Sequence, residues 1–204
     1  MKIICIGRNY ADHAREMKSE IPAEPVIFLK PETALLPKGH PFMYPEHTLD
    51  LHYEVELVLK IDRLGKHIDR QFAHKYYSQV GIGIDFTARD VQQVCKEKGL
   101  PWEKAKAFDH SAPLGTKFLE ISSLPDSSNI QFQLLKNGQV VQHGHSADML
   151  FDFDAIIEHV SKYFTLKIGD LIFTGTPSGV GPVDVGDVLE ASIEGQKLLK
   201  FSVK

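Results

Sequence analysis

Residues 52–61, H-Y-E-V-E-L-V-L-K-I, set the strongest constraint on what this chain can fold into. Tyr53, Val55, Leu57 and Leu59 face one side, while His52, Glu54, Glu56 and Lys60 share the other, which is the period of a half-buried β-strand. Such a strand needs sheet partners and a cover for its apolar side, so the chain must be organised around a sheet. Other apolar runs supply the partners. Ile3 to Ile6 and Val26 to Leu29 read as strands, and Val80 to Ile84 as another that ends at Asp85. Further on, Ile130, Phe132 and Leu134 alternate toward Asn137-Gly138, the strongest short hairpin signal, with Val140 and Val141 on the return.

Helical patterning is sparser. It predicts helices over 12–18, 70–77, 87–98 and 154–164, the last with Asp154 as its N-cap. Two prolines and mixed charges over 19–25 suggest a mobile loop. Near the end, K-I-G-D-L-I-F and D-V-G-D-V-L-E each place Gly-Asp before an apolar strand. Strands dominate without regular strand–helix alternation, so the expected class is α+β, built on a rolled or barrel-like mixed sheet with a few flanking helices, not a doubly wound one.

With 43% hydrophobic residues in 204 and no Ser/Gly/Pro-rich linker, the chain reads as one domain over 1–204. A net charge of -4 and the absence of any Lys/Arg run exclude a nucleic-acid footprint and a polybasic membrane anchor, leaving a small soluble ligand as the expected partner. Cys5 and Cys95 lie far apart outside any C-x-x-C pattern, which fits a reducing cytoplasm and suggests neither a disulfide framework nor a zinc site. The N-terminal apolar run is too short for a signal peptide, and nothing approaches membrane-spanning length.

Three carboxylates carry the chemistry. Glu54 and Glu56 project from one strand face with backbones roughly 6.5 Å apart, close enough to converge on one ion, although the pair alone reads equally as a solvated polar face. Asp85 closes the apolar run G-I-G-I-D, where a carboxylate is costly unless it binds a partner or reaches the surface. Three oxygen ligands without cysteine point to a hard ion, magnesium or manganese, with His52 keeping zinc as a minor alternative. Arg89 and Gln92 share a face if their segment is helical, so they can hold a substrate beside the ion or simply decorate a surface helix. Lys106, in K-A-K-A-F-D, is unremarkable by itself. In D-H-A-R-E-M, Glu16 stands three residues after His13 and can orient its imidazole as a base, or form a plain surface ion pair. T-G-T-P-S-G-V-G-P lacks a P-loop ending and reads as a tight loop that offers the Thr176 hydroxyl and backbone N–H groups to a carboxylate.

In order along the chain, C-I-G-R-N-Y-A-D-H, E-V-E, D-F-T-A-R-D-V-Q, K-A-F-D and G-D-L-I-F-T-G-T-P-S-G-V-G resemble the fumarylacetoacetate hydrolase family. The similarity spans nearly the whole sequence. It implies a β-roll-like mixed fold, usually a homodimer, with metal ligands at Glu54, Glu56 and Asp85, substrate contacts at Arg89, Gln92 and Thr176, and a catalytic lysine at Lys106. The sequence looks most like the short acylpyruvases that also decarboxylate oxaloacetate. That likeness implies a magnesium-dependent C–C hydrolase of 2,4-dioxo acids such as acetylpyruvate or fumarylpyruvate, with His13 and Glu16 as the water-activating dyad and 19–25 as a lid. A decarboxylase or isomerase of an aromatic catabolic pathway, homoprotocatechuate type, and a non-enzymatic domain with a structural cation are the alternatives.

Overall fold

The structure, a computed structural model, describes residues 1–17 and 19–204. The first half contains β1 (Ile3–Gly7), α1 (Ala11–Glu16), β2 (Val26–Lys30), β3 (Leu51–Tyr53), β4 (Val55–Ile61), α2 (Arg70–Ala73), β5 (Tyr77–Ile84), β6 (Thr87–Ala88) and α3 (Arg89–Lys98). The second contains α4 (Glu103–Lys106), β7 (Leu119–Glu120), β8 (Gln131–Lys136), β9 (Gln139–His145), α5 (Phe153–Tyr163), β10 (Leu171–Phe173), β11 (Gly181–Pro182), β12 (Val188–Ile193) and β13 (Gln196–Ser202). The class is the expected α+β. The strands form a six-stranded sheet ordered β2-β1-β10-β4-β5-β7, a three-stranded sheet β11-β3-β6 and a four-stranded sheet β13-β12-β8-β9, and none closes into a barrel.

The six-stranded sheet is covered on both faces, which explains its composition. Ile4, Ile6, Leu57, Leu59, Ile82 and Ile84 enter a large core shared with α5 and the four-stranded sheet, while Ile3, Cys5, Val58 and Phe173 fill a smaller core on the opposite side. Strands buried twice read as continuous apolar runs, as I-I-C-I does. This overturns the half-buried reading of 52–61. Glu54, Glu56 and Val58 are buried as fully as the residues between them, and the single expected strand is two, β3 and β4, belonging to different sheets and broken at Glu54.

Other boundaries moved for local reasons. The helix expected over 12–18 spans Ala11–Glu16, with Lys18 outside the described residues. The one expected over 70–77 stops at Ala73, because Tyr77 already pairs with Ile61 in β5. Thr87 and Ala88 pair with β3 before α3 begins at Arg89. Asp152, not Asp154, caps α5 by accepting from the Ala155 N–H at 2.8 Å; Asp154 instead accepts from the Tyr77 hydroxyl at 2.8 Å. The hairpin at Asn137-Gly138 is present, with φ of 53° and 81° as a type I′ turn requires. The two Gly-Asp runs are the same device. Asp170 accepts from the N–H of Lys167 and Asp187 from the N–H of Asp184, each three residues upstream, which pins the turn into β10 and β12 respectively.

Register puts one end of the large sheet to use. β1 and β10 run parallel, with Cys5 opposite Phe173, and both lie antiparallel to the strands beyond them, so the last residues of β1, β10 and β5 and the first of β4 emerge together.

Candidate functional site

Glu54 and Glu56 flank Val55 where β4 begins, and Asp85 follows the last residue of β5; the Asp85 N–H donates to the Glu54 carbonyl at 2.8 Å. Among the described residues these three are the one group of His, Cys, Asp or Glu side chains able to close on an ion, with ligand atoms within 4.8 Å of one another and all three residues buried. His52 is not part of it. Its Nε2 sits 2.9 Å from Asp50 Oδ1, turned to a carboxylate outside the cluster, so the zinc alternative loses its nitrogen ligand.

Three cations answer the carboxylates. Lys106 Nζ lies 2.9 Å from Glu54 Oε2 and 2.6 Å from Asp85 Oδ2, Arg89 is ion-paired with Glu54 Oε1, and Lys30 Nζ lies 2.8 Å from Asp85 Oδ1. Burial alone would raise the Glu54 carboxyl, but Lys106, Arg89 and His13 hold it well below the usual range. Burial also works against the Lys106 ammonium, yet Asp85 and Glu54 raise its pKa above that of an ordinary lysine. Glu56 is the exception. It accepts from the Gly175 N–H at 2.7 Å but is ion-paired with no cation among the described residues, and burial, Asp85 and Glu54 push its carboxyl well above the usual range. A buried carboxylate in that position must take up a proton or meet a positive charge.

Asp85 Oδ1 is the second opening. Lys30 Nζ pairs with it by charge at 2.8 Å, but the carbonyls of Phe86, Lys106 and Ser111 and Ser111 Oγ compete for the three protons of that ammonium, and no well-aligned hydrogen bond reaches Oδ1 among the described residues. Three carboxylates, an orphaned oxygen and no sulfur or imidazole make a donor set that fits a hard divalent cation such as Mg2+ or Mn2+.

One cavity takes in His13, Glu54, Glu56, Asp85, Arg89, Gln92, Lys106 and Thr176, so the sequence-predicted residues converge, with Glu16 just behind His13. His13 Nδ1 lies 3.2 Å from Glu16 Oε2, and Glu16 accepts from the Gly179 N–H at 3.1 and 3.2 Å. The Gly-rich loop after β10 therefore does serve carboxylates, but they are the protein's own Glu16 and Glu56. Gly175, at φ +100°, cannot be replaced without collision, since a Cβ there would come 2.6 Å from Asn9 Cβ. Ser19 lines the cavity, and 19–25 carries no helix or strand.

Two expected roles look different at atomic distance. Arg89 and Gln92 do share a face of α3, but here Arg89 donates to Gln92 Oε1 at 3.0 Å as well as to Glu54. Several contributors went unread in the sequence. Thr87 donates to Glu54 Oε1 at 3.0 Å, and Gln142, on β9, donates to Thr176 Oγ1 at 2.8 Å. Lys30 ends the apolar run V-I-F-L-K, where a charge is as costly without a partner as that of Asp85 at the end of G-I-G-I-D. Gln142 has no comparable signal.

The family model described as fumarylacetoacetate (FAA) hydrolase C-terminal matches residues 2–204. The chain belongs to the fumarylacetoacetate hydrolase family. It is 45% identical over 202 residues to the mitochondrial oxaloacetate tautomerase FAHD1 of Bos taurus, covering 99% of this chain and 91% of that protein. Over 195 residues it is 42% identical to the mitochondrial oxaloacetate decarboxylase of Dictyostelium discoideum, covering 95% and 89%. Its fold superposes on the crystal structure of fumarylpyruvate hydrolase from Pseudomonas aeruginosa in complex with Mn2+ and pyruvate with a TM-score of 0.93, at 36% identity, covering 100% of this chain and 89% of that one. These relatives are enzymes of small oxo acids. No helix among the described residues is long and apolar enough to cross a membrane.

Proposed function

We propose that this protein is a Mg2+- or Mn2+-dependent enzyme of small 2-oxo acids, cleaving acylpyruvates hydrolytically and turning over oxaloacetate in one pocket. The observation that carries this reading is Lys106 bonded to Glu54 and Asp85 beside the uncompensated Glu56, with His13 and Glu16 across the same cavity. When bound by Glu54, Glu56 and Asp85, a divalent cation would chelate a 1-carboxylate and 2-oxo group and withdraw electron density from them.

The chain's own residues supply the remaining steps. In hydrolysis, His13, oriented by Glu16, takes a proton from water, whose oxygen bonds to the distal carbonyl carbon. The C–C bond to the pyruvate fragment then breaks, its electron pair leaves as the enolate, and His13 returns the proton to that carbon. Oxaloacetate reaches the same enolate by losing carbon dioxide, and keto–enol exchange needs only a proton moved at the same carbon. Lys106 faces the developing negative charge in every case, where fixed electrostatics have their largest effect. Thr176 accepts from Gln142, so its own proton is free for the substrate carboxylate.

A cytoplasmic setting and a homodimer belong to the same reading. Both thiols are free and buried, and the apolar strand β2 lies at a sheet edge with Leu29 40% exposed, the kind of surface a second copy covers. Activity against acetylpyruvate, fumarylpyruvate and oxaloacetate, with and without Mg2+, tests the proposal; no turnover of any of the three with the metal present would refute it.

A further inference from the structure

Two cations that line the pocket stand outside the ion-pair network of the described residues. Arg8 is half-buried and Lys96 exposed, and both line the cavity that holds Glu56 and His13. Among the described residues neither makes an ion pair or a side-chain hydrogen bond, whereas Lys30, Lys106 and Arg89 all do.

The backbone holds Arg8 in place deliberately. Its φ is +59°, in the left-handed region that residues with side chains rarely adopt. Neighbouring contacts fix that turn. The Asn9 amide donates to the carbonyls of Thr174 and Phe151 at 2.8 and 3.0 Å, its Oδ1 accepts from the Phe151 N–H at 2.8 Å, and its own carbonyl accepts from the Leu150 N–H at 2.8 Å. A conformation so over-determined next to a pocket is where strain serves a site. Lys96 lies on α3 one turn beyond Gln92, and its ammonium stands 5.8 Å from the Trp102 ring centroid, which steadies the long side chain.

We propose that Arg8 and Lys96 form an anion subsite that takes the second carboxylate of a dicarboxylic 2-oxo acid, in the cavity they share with Glu54, Glu56 and Asp85. This rests on the reading above, in which the first carboxylate and the oxo group sit at the three-carboxylate cluster. Charge points the same way. The three carboxylates are already faced by Lys30, Lys106 and Arg89, so a divalent cation would leave the interior positive before Arg8 and Lys96 are counted. Partial desolvation of its stem, then Arg89, Arg8 and Lys106, lower the Lys96 pKa against the opposing pull of Glu54, so cations outweigh the anion near it. A monocarboxylic dioxo acid leaves both cations unpaired; a dicarboxylic one supplies their partner.

Calorimetric binding in the presence of Mg2+ tests this with two unreactive probes: oxalate, which has only the chelating end, and 2-oxoglutarate, which adds a distal carboxylate. Arg8→Gln should weaken 2-oxoglutarate at least about tenfold more than oxalate, the loss of a charge-assisted pair, with Lys96→Gln showing the same sign. Lys98→Gln, which removes a nearby charge outside the cavity, controls for general attraction. Equal losses for both probes, no loss for either, or an equal effect of Lys98→Gln overturns the subsite. If the unaltered protein binds oxalate no better with Mg2+ than without, the metal reading fails separately, and the ratio between the probes still decides the subsite. Binding of neither probe overturns both.

Discussion

Gln142 donates to Thr176 Oγ1 at 2.8 Å and to the Pro177 carbonyl at 3.0 Å while its Oε1 accepts from the Val55 N–H at 2.9 Å, so one buried amide ties the loop after β10 to the start of β4. That bond fixes the distance between the glutamates and the hydroxyl they share a cavity with. Gln142→Leu should cost about 1–3 kcal/mol in stability, because the Val55 N–H and the Pro177 carbonyl lose their partner in the interior. Thr176→Val keeps the side-chain shape and removes only the hydroxyl, so its main effect should be a raised KM. Urea unfolding of both variants beside KM measurements checks the division; an unchanged unfolding midpoint for Gln142→Leu refutes it.

Much of this site was legible because its residues occupy fixed positions on regular elements. Glu54 and Glu56 two apart near a strand start, and Asp85 at the end of an apolar run, follow from the period of a strand and the cost of burying a charge. Gln142 was not legible. Its role depends on β9 arriving beside the loop after β10, a contact between residues 34 apart that no local pattern encodes. The half-buried reading of β4 failed for a related reason. Glu54 and Glu56 look like a solvated face until two cores and three cations are brought around them by strands distant in sequence. Lys30 lay between these cases: a charge ending an apolar run was visible, and its partner Asp85, 55 positions later, was not.

Glu56→Gln tests the metal site most directly. Glu56 is the carboxylate in the cluster with no ion-paired cation among the described residues, and glutamine keeps its shape and can still accept from the Gly175 N–H. The variant should fold as before and lose divalent-cation affinity by more than the roughly 10- to 100-fold that removal of an outer-shell partner costs. Calorimetry with Mg2+ and with Mn2+ measures it. Affinity within a few fold of the unaltered protein would mean the ion, if bound, sits elsewhere.

Asp170 gives a prediction that depends on pH and not on the pocket. Burial alone would raise its carboxyl, but hydrogen bonds from Lys2 Nζ, the Lys2 N–H and the Lys167 N–H hold it below the usual value. A carboxyl depressed in the folded state contributes stability above its unfolded pKa of about 3.9 and loses it as pH falls through the folded value. Asp170→Asn should therefore destabilise by about 1–3 kcal/mol at pH 7, with the difference shrinking below about pH 4. Unfolding midpoints of both proteins across pH 3 to 7 decide it; a gap that stays constant over that range would mean the carboxylate charge contributes nothing to the turn.

The dyad and the lysine separate the two chemistries. Hydrolysis needs a base to make water nucleophilic, whereas loss of carbon dioxide from oxaloacetate needs only a chelated substrate and a stabilised enolate. His13 is 7% exposed, lines the same cavity as Glu54, and is steadied by Glu16, which is itself anchored on the Gly179 N–H. His13→Ala should therefore cut acylpyruvate hydrolysis by about a hundred- to ten-thousandfold, the usual worth of a positioned general base, and oxaloacetate turnover far less. Lys106→Met should damage both reactions, since it removes the positive charge beside Glu54 and Asp85 that, in the proposed mechanism, faces the enolate common to the two reactions. The same change leaves two buried carboxylates with one cation fewer, so Lys106→Met should also bind divalent cations differently, and each kcat must be taken at saturating Mg2+. Comparing kcat for both substrates in both variants decides the roles: an equal loss in the two reactions for His13→Ala would show that His13 does not act on water alone.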